Sequence, residues 1–375
     1  MAERRDAAAA HINPFTLGSG RVPPVMTGYD NAIESIEDAF RNGPGDPNLT
    51  GIFDGARGTG KTALLTLLAD TAEECVWIAA RVSAVPGMLE DILVQAGKGL
   101  SDDVSRARIS SIGTREAGTL GQEEDGRNWR SRLESLLDAL EASGTGLLIT
   151  VDDVRDFDEM VQLASVYQHL VSAGRRISLL MAGLPSEVSR IFNGQPISFL
   201  RRATRYRLGR IDDADMRKAP AGTIESGGRT IEAYALEAAM NALGDFPFMM
   251  QLVGYRMRTQ AEGDAIDLSA AERGIETAQQ EMRMNILETT YQELSDMDIA
   301  FIEAMLPGEG PSSTAEIARR MGKSSAYASQ YRRRLLEEGV IGMSGRGKAS
   351  FELPGWRAFI EEKLEGGCPY SSVKP

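Results

Sequence analysis

The spacing of apolar and polar positions changes character twice along the chain. From residue 51 to about 209, short apolar runs at 49–53, 75–82, 146–151 and 177–181 alternate with longer stretches of helical period at 61–73, 129–141 and 157–173. Buried strands alternating with amphipathic helices predict a parallel α/β sheet. Residues 98–128 are polar, glycine-rich and without period, and read as a long loop or small insertion. Beyond RRATRYRLGRIDDADMRKAP the pattern is wholly helical, over 230–243, 248–262 and from 268 onward. Pro220 and the pair Gly227–Gly228 mark that change. A third block begins near Ser295, with helices expected over 296–306, 313–321 and 325–338. A hairpin through Ser344, Gly345, Arg346 and Gly347 follows. Three short helices and a glycine-tipped hairpin are the plan of a winged helix-turn-helix. The divisions expected are a flexible leader 1–12, an α/β core 13–209, a helical block 210–294, a winged helix 295–365 and a tail 366–375.

The stretch GIFDGARGTGKTALL, residues 51–65, joins the first apolar run to the first helix. Gly55-Ala56-Arg57-Gly58-Thr59-Gly60-Lys61-Thr62 matches the phosphate-loop pattern G-x-x-x-x-G-K-[ST], in the strand-to-helix context that pattern requires. Its glycines let the backbone turn N–H groups toward a triphosphate at the positive end of the following helix. Lys61 is placed for the β and γ phosphates, and the Thr62 hydroxyl for one Mg²⁺ position. An ordinary glycine-rich turn is the alternative. Further on, LLITVDD at 147–153 is an apolar strand ending in two carboxylates. Open α/β sheets bind ligands outside the carboxyl ends of their strands. Asp152 is therefore expected to hold Mg²⁺ through water, and Asp153 to polarise an attacking water. Read alone, the pair also fits a helix N-cap.

With these motifs the chain resembles the AAA+ and STAND P-loop ATPases, above all the origin-recognition-type and archaeal branch that ends in a winged helix. The resemblance covers about residues 13–365 and rests chiefly on the two Walker motifs. It implies an α/β P-loop NTPase core with an AAA+-like parallel sheet, an α-helical lid and a C-terminal winged helix-turn-helix domain. ATP and Mg²⁺ are the implied cofactors. Asp152 takes the Walker B position and Asp153 the place usually held by glutamate, one methylene longer. ISLLMAGLPSEV occupies the sensor-1 place, with Ala182 and Gly183 where the family usually has Asn, Thr or Ser. Both departures imply slow ATP hydrolysis, suited to a switch. SFLRRATRYRLG falls where such proteins often carry an arginine finger, with Arg201 and Arg202 as candidates; a solvated basic turn is the alternative. Gly244-Asp245-Phe246-Pro247 resembles an element whose proline, here Pro247, packs by the nucleotide, and it reads equally as a helix start with a first-turn proline. RVPPVMTGYD resembles the segment that covers adenine, with Val25 and Met26 as contacts, although Tyr29 follows Gly28 where the family often has arginine.

Composition narrows the partners. A net charge of −13 excludes indiscriminate binding to nucleic acid, so contact with DNA has to come from a local basic patch. Only His11 and His169 are present, which speaks against a histidine metal site or a Ser-His-Asp triad. No apolar run approaches the roughly 18 residues of a membrane span. Cys75 and Cys368 lie far apart and form no disulfide framework, so a reducing cytoplasm is the expected compartment.

In SSTAEIARRMGKSSAYASQYRRRLLEEGVI, residues Ile317, Met321, Leu335, Leu336 and Val340 have core spacing. The helix from Ser325 is the candidate recognition helix. Ser324, Ser325, Ser329, Tyr327 and Gln330 are candidates for base edges, and Lys323, Arg332, Arg333 and Arg334 for phosphates. Arg346 and Lys348 stand on a wing suited to a minor groove. Glu337, Glu338, Glu361 and Glu362 leave the block close to neutral. Double-stranded DNA is thus one expected partner. A protein partner, self-association or internal packing is the other reading, because fold alone does not fix function.

Overall fold

The computed structural model describes residues 13–365 apart from Ser19, residues 99–121, Gly194, Glu309 and Arg346. The leader, the tail, His11, Cys368 and the wing candidate Arg346 lie outside the described residues, as does most of the 98–128 stretch. The described chain forms two units. The α/β unit comprises residues 29–55 and 61–208; the helical unit comprises 13–28, 56–60 and the chain from Gly209 onward.

The α/β unit runs α1 (Asp30–Asn42), β1 (Thr50–Asp54), α2 (Lys61–Glu74), β2 (Trp77–Ser83), α3 (Met88–Lys98), α4 (Gln122–Ala142), β3 (Gly146–Asp152), α5 (Asp158–Ser172), β4 (Ile177–Gly183), α6 (Pro185–Asn193), a 3₁₀ helix (Gln195–Arg202) and β5 (Thr204–Arg207). All five strands are parallel, in the order β2-β3-β4-β1-β5. The strand leading into the phosphate loop is therefore separated from the strand carrying Asp152 by β4. β4 is buried throughout and β3 in all but its last residue, which is why both read as unbroken apolar runs. Close packing fixes particular residues: a Cβ on Gly146 would lie 2.4 Å from the Trp77 ring, whose Nε1 donates to the Phe40 carbonyl at 3.0 Å.

The four expected strands are present within two residues of their anticipated limits. The structure adds β5, α1, α3 and α6, and it starts α4 at Gln122, inside the stretch read as a loop. β5 escaped the apolar pattern because TRYR is a short edge strand that alternates half-buried and exposed residues and carries two arginines.

The helical unit contains α7 (Asp213–Ser226), β6 (Thr230–Ile231), α8 (Ala233–Leu243), α9 (Pro247–Gln260), β7 (Ala265–Ile266), α10 (Leu268–Met282), a π-helical turn (Arg283–Leu287) and α11 (Glu288–Gln292). Pro220 lies inside α7 and does not end it; the stop comes at Gly227 and Gly228, the latter in left-handed conformation. Residues 230–231, expected to open a helix, pair in parallel with β7 instead. Phe15 is buried in the space left by Gly254, where a Cβ would come within 2.2 Å of the ring.

The same unit closes with α12 (Asp296–Met305), β8 (Ser312–Ser313), α13 (Thr314–Arg320), α14 (Ser325–Glu337), β9 (Ile341–Met343), β10 (Lys348–Phe351) and α15 (Trp356–Glu365). The three short strands pair in the order β8-β10-β9, which with α12–α14 makes a winged helix. Capping boxes at Ser295/Asp298 and Ser313/Glu316 start α12 and α13, and Ser324 caps α14. Ile317, Leu335 and Val340 are buried as their spacing predicted.

Candidate nucleotide site

Within the α/β unit, the carboxyl ends of β1 and β3 bring the Walker residues together. Lys61 is nearly buried and its Nζ donates to the Gly55 carbonyl at 2.9 Å. The Thr62 hydroxyl donates to Asp152 Oδ2 at 2.7 Å, although 90 residues separate them. Asp152 Oδ1 accepts the Asp153 N–H at 2.9 Å, and Asp153 is exposed with φ 51°. A hydroxyl and a carboxylate held side by side, at the first turn of a helix, form an oxygen pair suited to a hard divalent cation. Among the described residues no group of three or more His, Cys, Asp or Glu could hold a metal ion. The sensor-1 position holds no polar side chain. The Ala182 carbonyl accepts the Val154 N–H at 2.9 Å, and Val154 fills the space where a Cβ on Gly183 would stand, 2.6 Å away.

Parallel pairing explains where the arginines go. Thr204 pairs with Gly51 and Arg207 with Asp54, so the chain must return to the amino end of the sheet before β5 begins. Arg202 accordingly lines a cavity of about 310 Å³ beside Thr50 and Ile177, the first residues of their strands. Arg201 donates from Nε to the Phe192 carbonyl at 2.8 Å. Arg202 thus stands a strand length, about 13 Å, from the end that carries Asp54. The structure therefore does not bring the two finger candidates to the Walker residues of their own chain. The arginines near the loop are Arg205 and Arg207, both paired with the fully buried Asp54 at 2.6 and 3.8 Å. Sequence reading missed all three, since only the strand register reveals them.

Loop residues 56–60 pack within the helical unit. Gly58 and Gly60 both have φ 81°, which the motif's glycines permit at no steric cost. Thr59 is fully buried and its hydroxyl donates to the Ala56 carbonyl at 2.9 Å. Gly58 lies against Phe246 and Phe248, and its carbonyl accepts the Phe248 N–H at 3.2 Å. Pro247 between those phenylalanines is the first residue of α9, as the reading of a helix start with a first-turn proline expects. Arg57 pairs with Glu293 at 3.2 Å. Gly339, at the turn between α14 and β9, leaves only 2.8 Å between a Cβ and the Ala56 Cα. Val25 packs on the core of this unit and Met26 is half-buried.

On the winged helix, Lys323, Ser324, Ser325, Ser329, Gln330, Arg333 and Lys348 are exposed, and Tyr327 and Arg332 are half-buried. Lys323 lies over the Tyr327 ring. Arg334 is committed elsewhere: it pairs with fully buried Asp298 at 3.2 Å and with Glu338 at 3.1 Å, which holds its guanidinium pKa above the ordinary value. It anchors α14 to α12 and is a poor phosphate ligand.

The chain is similar in structure to the Walker-type ATPase PABY2304 of Pyrococcus abyssi. That likeness has a TM-score of 0.64 at 13% identity, over 92% of this chain and 99% of the other. The Aeropyrum pernix ORC2 protein, solved as ADPNP–ADP complexes, is more distant, at TM-score 0.49 and 13% identity over 95% and 98% of the two chains. The Aeropyrum pernix ORC1 protein in complex with DNA has TM-score 0.46 and 14% identity over 92% and 94%. A family model described as a domain of unknown function (DUF8462) matches residues 284–360. No curated protein matches the sequence. The fold is an α/β P-loop NTPase fold with a five-stranded parallel sheet, followed in the chain by helices and a winged helix. Among the described residues no helix is long and apolar enough to cross a membrane.

Proposed function

We propose that the protein is an ATP-binding switch with slow hydrolysis, whose nucleotide loop governs DNA binding by the winged helix. The carrying observation is the packing of loop residues 56–58 against two elements of the helical unit, Phe246–Phe248 at the start of α9 and Gly339 beside the recognition helix. A triphosphate that reorders this loop would bias how those elements pack, and differential affinity of two arrangements for ATP and ADP is what drives such a switch.

The oxygens of Thr62 and Asp152 would hold Mg²⁺, which when bound offsets charge on the phosphates. Lys61 and the N–H groups of residues 58–62 would hold the phosphates, and Asp153 would orient water. With no polar group at Ala182–Gly183 and a short carboxylate at 153, turnover is expected to be slow. A finger role for Arg201 or Arg202 would be exercised only on a neighbouring copy.

One observation favours a second reading, in which the winged helix docks protein: Arg334 is spent on Asp298, which leaves Arg333 as the exposed, loosely held cation of α14. A titration with a fluorescent ATP analogue and Mg²⁺ tests the site. Lys61→Ala should abolish binding while the protein stays folded, and retained affinity would refute the assignment.

A further inference from the structure

Asp54 closes β1 and directly precedes Gly55, the first residue of the phosphate loop. A fully buried carboxylate at that position is unusual, since burial disfavours its charge unless it is well paired. Arg205 supplies the pair as a fork, with Nη2 to Oδ2 at 2.6 Å and Nε to Oδ1 at 3.2 Å. The Arg207 Nε stands 3.8 Å from Oδ2. The backbone is fixed as well, because the Asp54 carbonyl accepts the Leu208 N–H at 2.7 Å. One residue later the Gly55 carbonyl accepts Lys61 Nζ at 2.9 Å. Two consecutive residues thus tie the edge strand β5 and the Walker lysine to the same point of the chain.

We infer that Asp54 and Arg205 are a positioning pair for the phosphate loop, with Arg207 as an auxiliary cation. Neither residue touches a phosphate. They anchor Asp54, whose carbonyl the Leu208 N–H also holds, and so steady the next peptide, whose Gly55 carbonyl receives the Lys61 ammonium. A fork of two parallel N–H···O bonds restrains rotation that a single contact would allow. Holding the loop in its binding geometry lowers the ordering cost of capturing a triphosphate. The inference rests on the loop being a nucleotide site.

The rival is a brace that stabilises the fold and nothing more, so the test compares affinity per folded molecule with melting temperature. The full chain is titrated with a fluorescent ATP analogue and Mg²⁺, and melted in parallel. Asp54→Asn should weaken binding about tenfold, the low end of the loss when a partner orienting a ligand-holding group is removed. Arg205→Lys, which keeps the charge and loses the fork, should weaken it about threefold. Glu141→Gln is the control. It removes a carboxylate that holds Arg175 and the Arg176 N–H in the same unit, and should lower the melting temperature with affinity unchanged. Unchanged affinity in both Asp54→Asn and Arg205→Lys would overturn the inference, as would equal weakening in Glu141→Gln. Should Asp54→Asn fail to fold, Arg205→Lys decides alone. If the unaltered protein binds no nucleotide, the functional reading itself falls, and the pair is only a brace.

Discussion

Val76 is a β-branched residue held at φ 64°, between α2 and β2, and is 57% exposed. Left-handed backbone costs such a residue about 1–2 kcal/mol, and this one gains little from burial. Its carbonyl is needed, since it accepts the Gly146 N–H at 3.1 Å. Val76→Gly keeps that bond and should raise stability by about 1 kcal/mol net of the entropy glycine adds to the unfolded chain, read as a melting temperature higher by a few degrees. Asp153 also has positive φ, but aspartate tolerates that region better. At this scale the Walker residues were legible because the loop motif is contiguous and Asp152 ends an apolar run. Asp54 was not, because its partner Arg205 lies 151 positions away and only strand register joins them. Arg201 and Arg202 looked equivalent to Arg205 and Arg207 in the sequence; strand register takes Arg205 and Arg207 to Asp54 and leaves Arg202 beside the first residues of β1 and β4.

Elements were legible where burial was one-sided or complete. Strands β1 to β4 and the winged-helix helices show their period because their core faces are unbroken. β5 and the two-residue strands do not, being short and partly polar. The cap of α13 gives a pH-dependent prediction. The Glu316 carboxylate accepts from the Ser313 N–H and hydroxyl, and these bonds hold its pKa below the ordinary 4.5. A depressed folded value means the contribution is present above pH 4.5 and lost as pH falls through the lower folded value. Ser313→Ala should therefore melt earlier than the unaltered protein at neutral pH, and the gap should narrow in acid. A pH-independent gap would show that the reciprocal bond contributes nothing. α14 gives another. Asp298 is fully buried with Oδ1 lacking a hydrogen-bond partner, and Arg334 at Oδ2 is its nearest cation. Since Arg334 is about half exposed, Arg334→Ala should cost a discounted ~1–2 kcal/mol in stability. It should leave the salt dependence of DNA binding unchanged, a separation that melting and duplex titrations resolve.

For the molecule as a whole, charge sets the terms. A chain of net charge −13 repels a polyanion except where cations are exposed and unspent. Among the phosphate candidates on the described winged-helix surface those are Lys323, Arg333 and Lys348, with Arg333 only loosely paired to Glu337 at 3.7 Å; Arg319 on α13 is exposed as well. Three phosphate contacts would release about three counterions, so log affinity should fall with log salt at a slope of about −3. The titration uses a labelled duplex followed by anisotropy across salt concentrations, in Mg-ATP and again in Mg-ADP. Affinity should differ between the nucleotides because loop residues 56–58 share packing with Gly339 and Phe246–Phe248, while the slope should stay the same, since the nucleotide adds no cation to that face. Lys323→Ala with Lys348→Ala should flatten the slope by about two. A slope that changes with nucleotide would place a second basic surface in play. Affinity indifferent to nucleotide would sever the loop from DNA binding, and no binding in either state would leave the winged helix as a surface for protein.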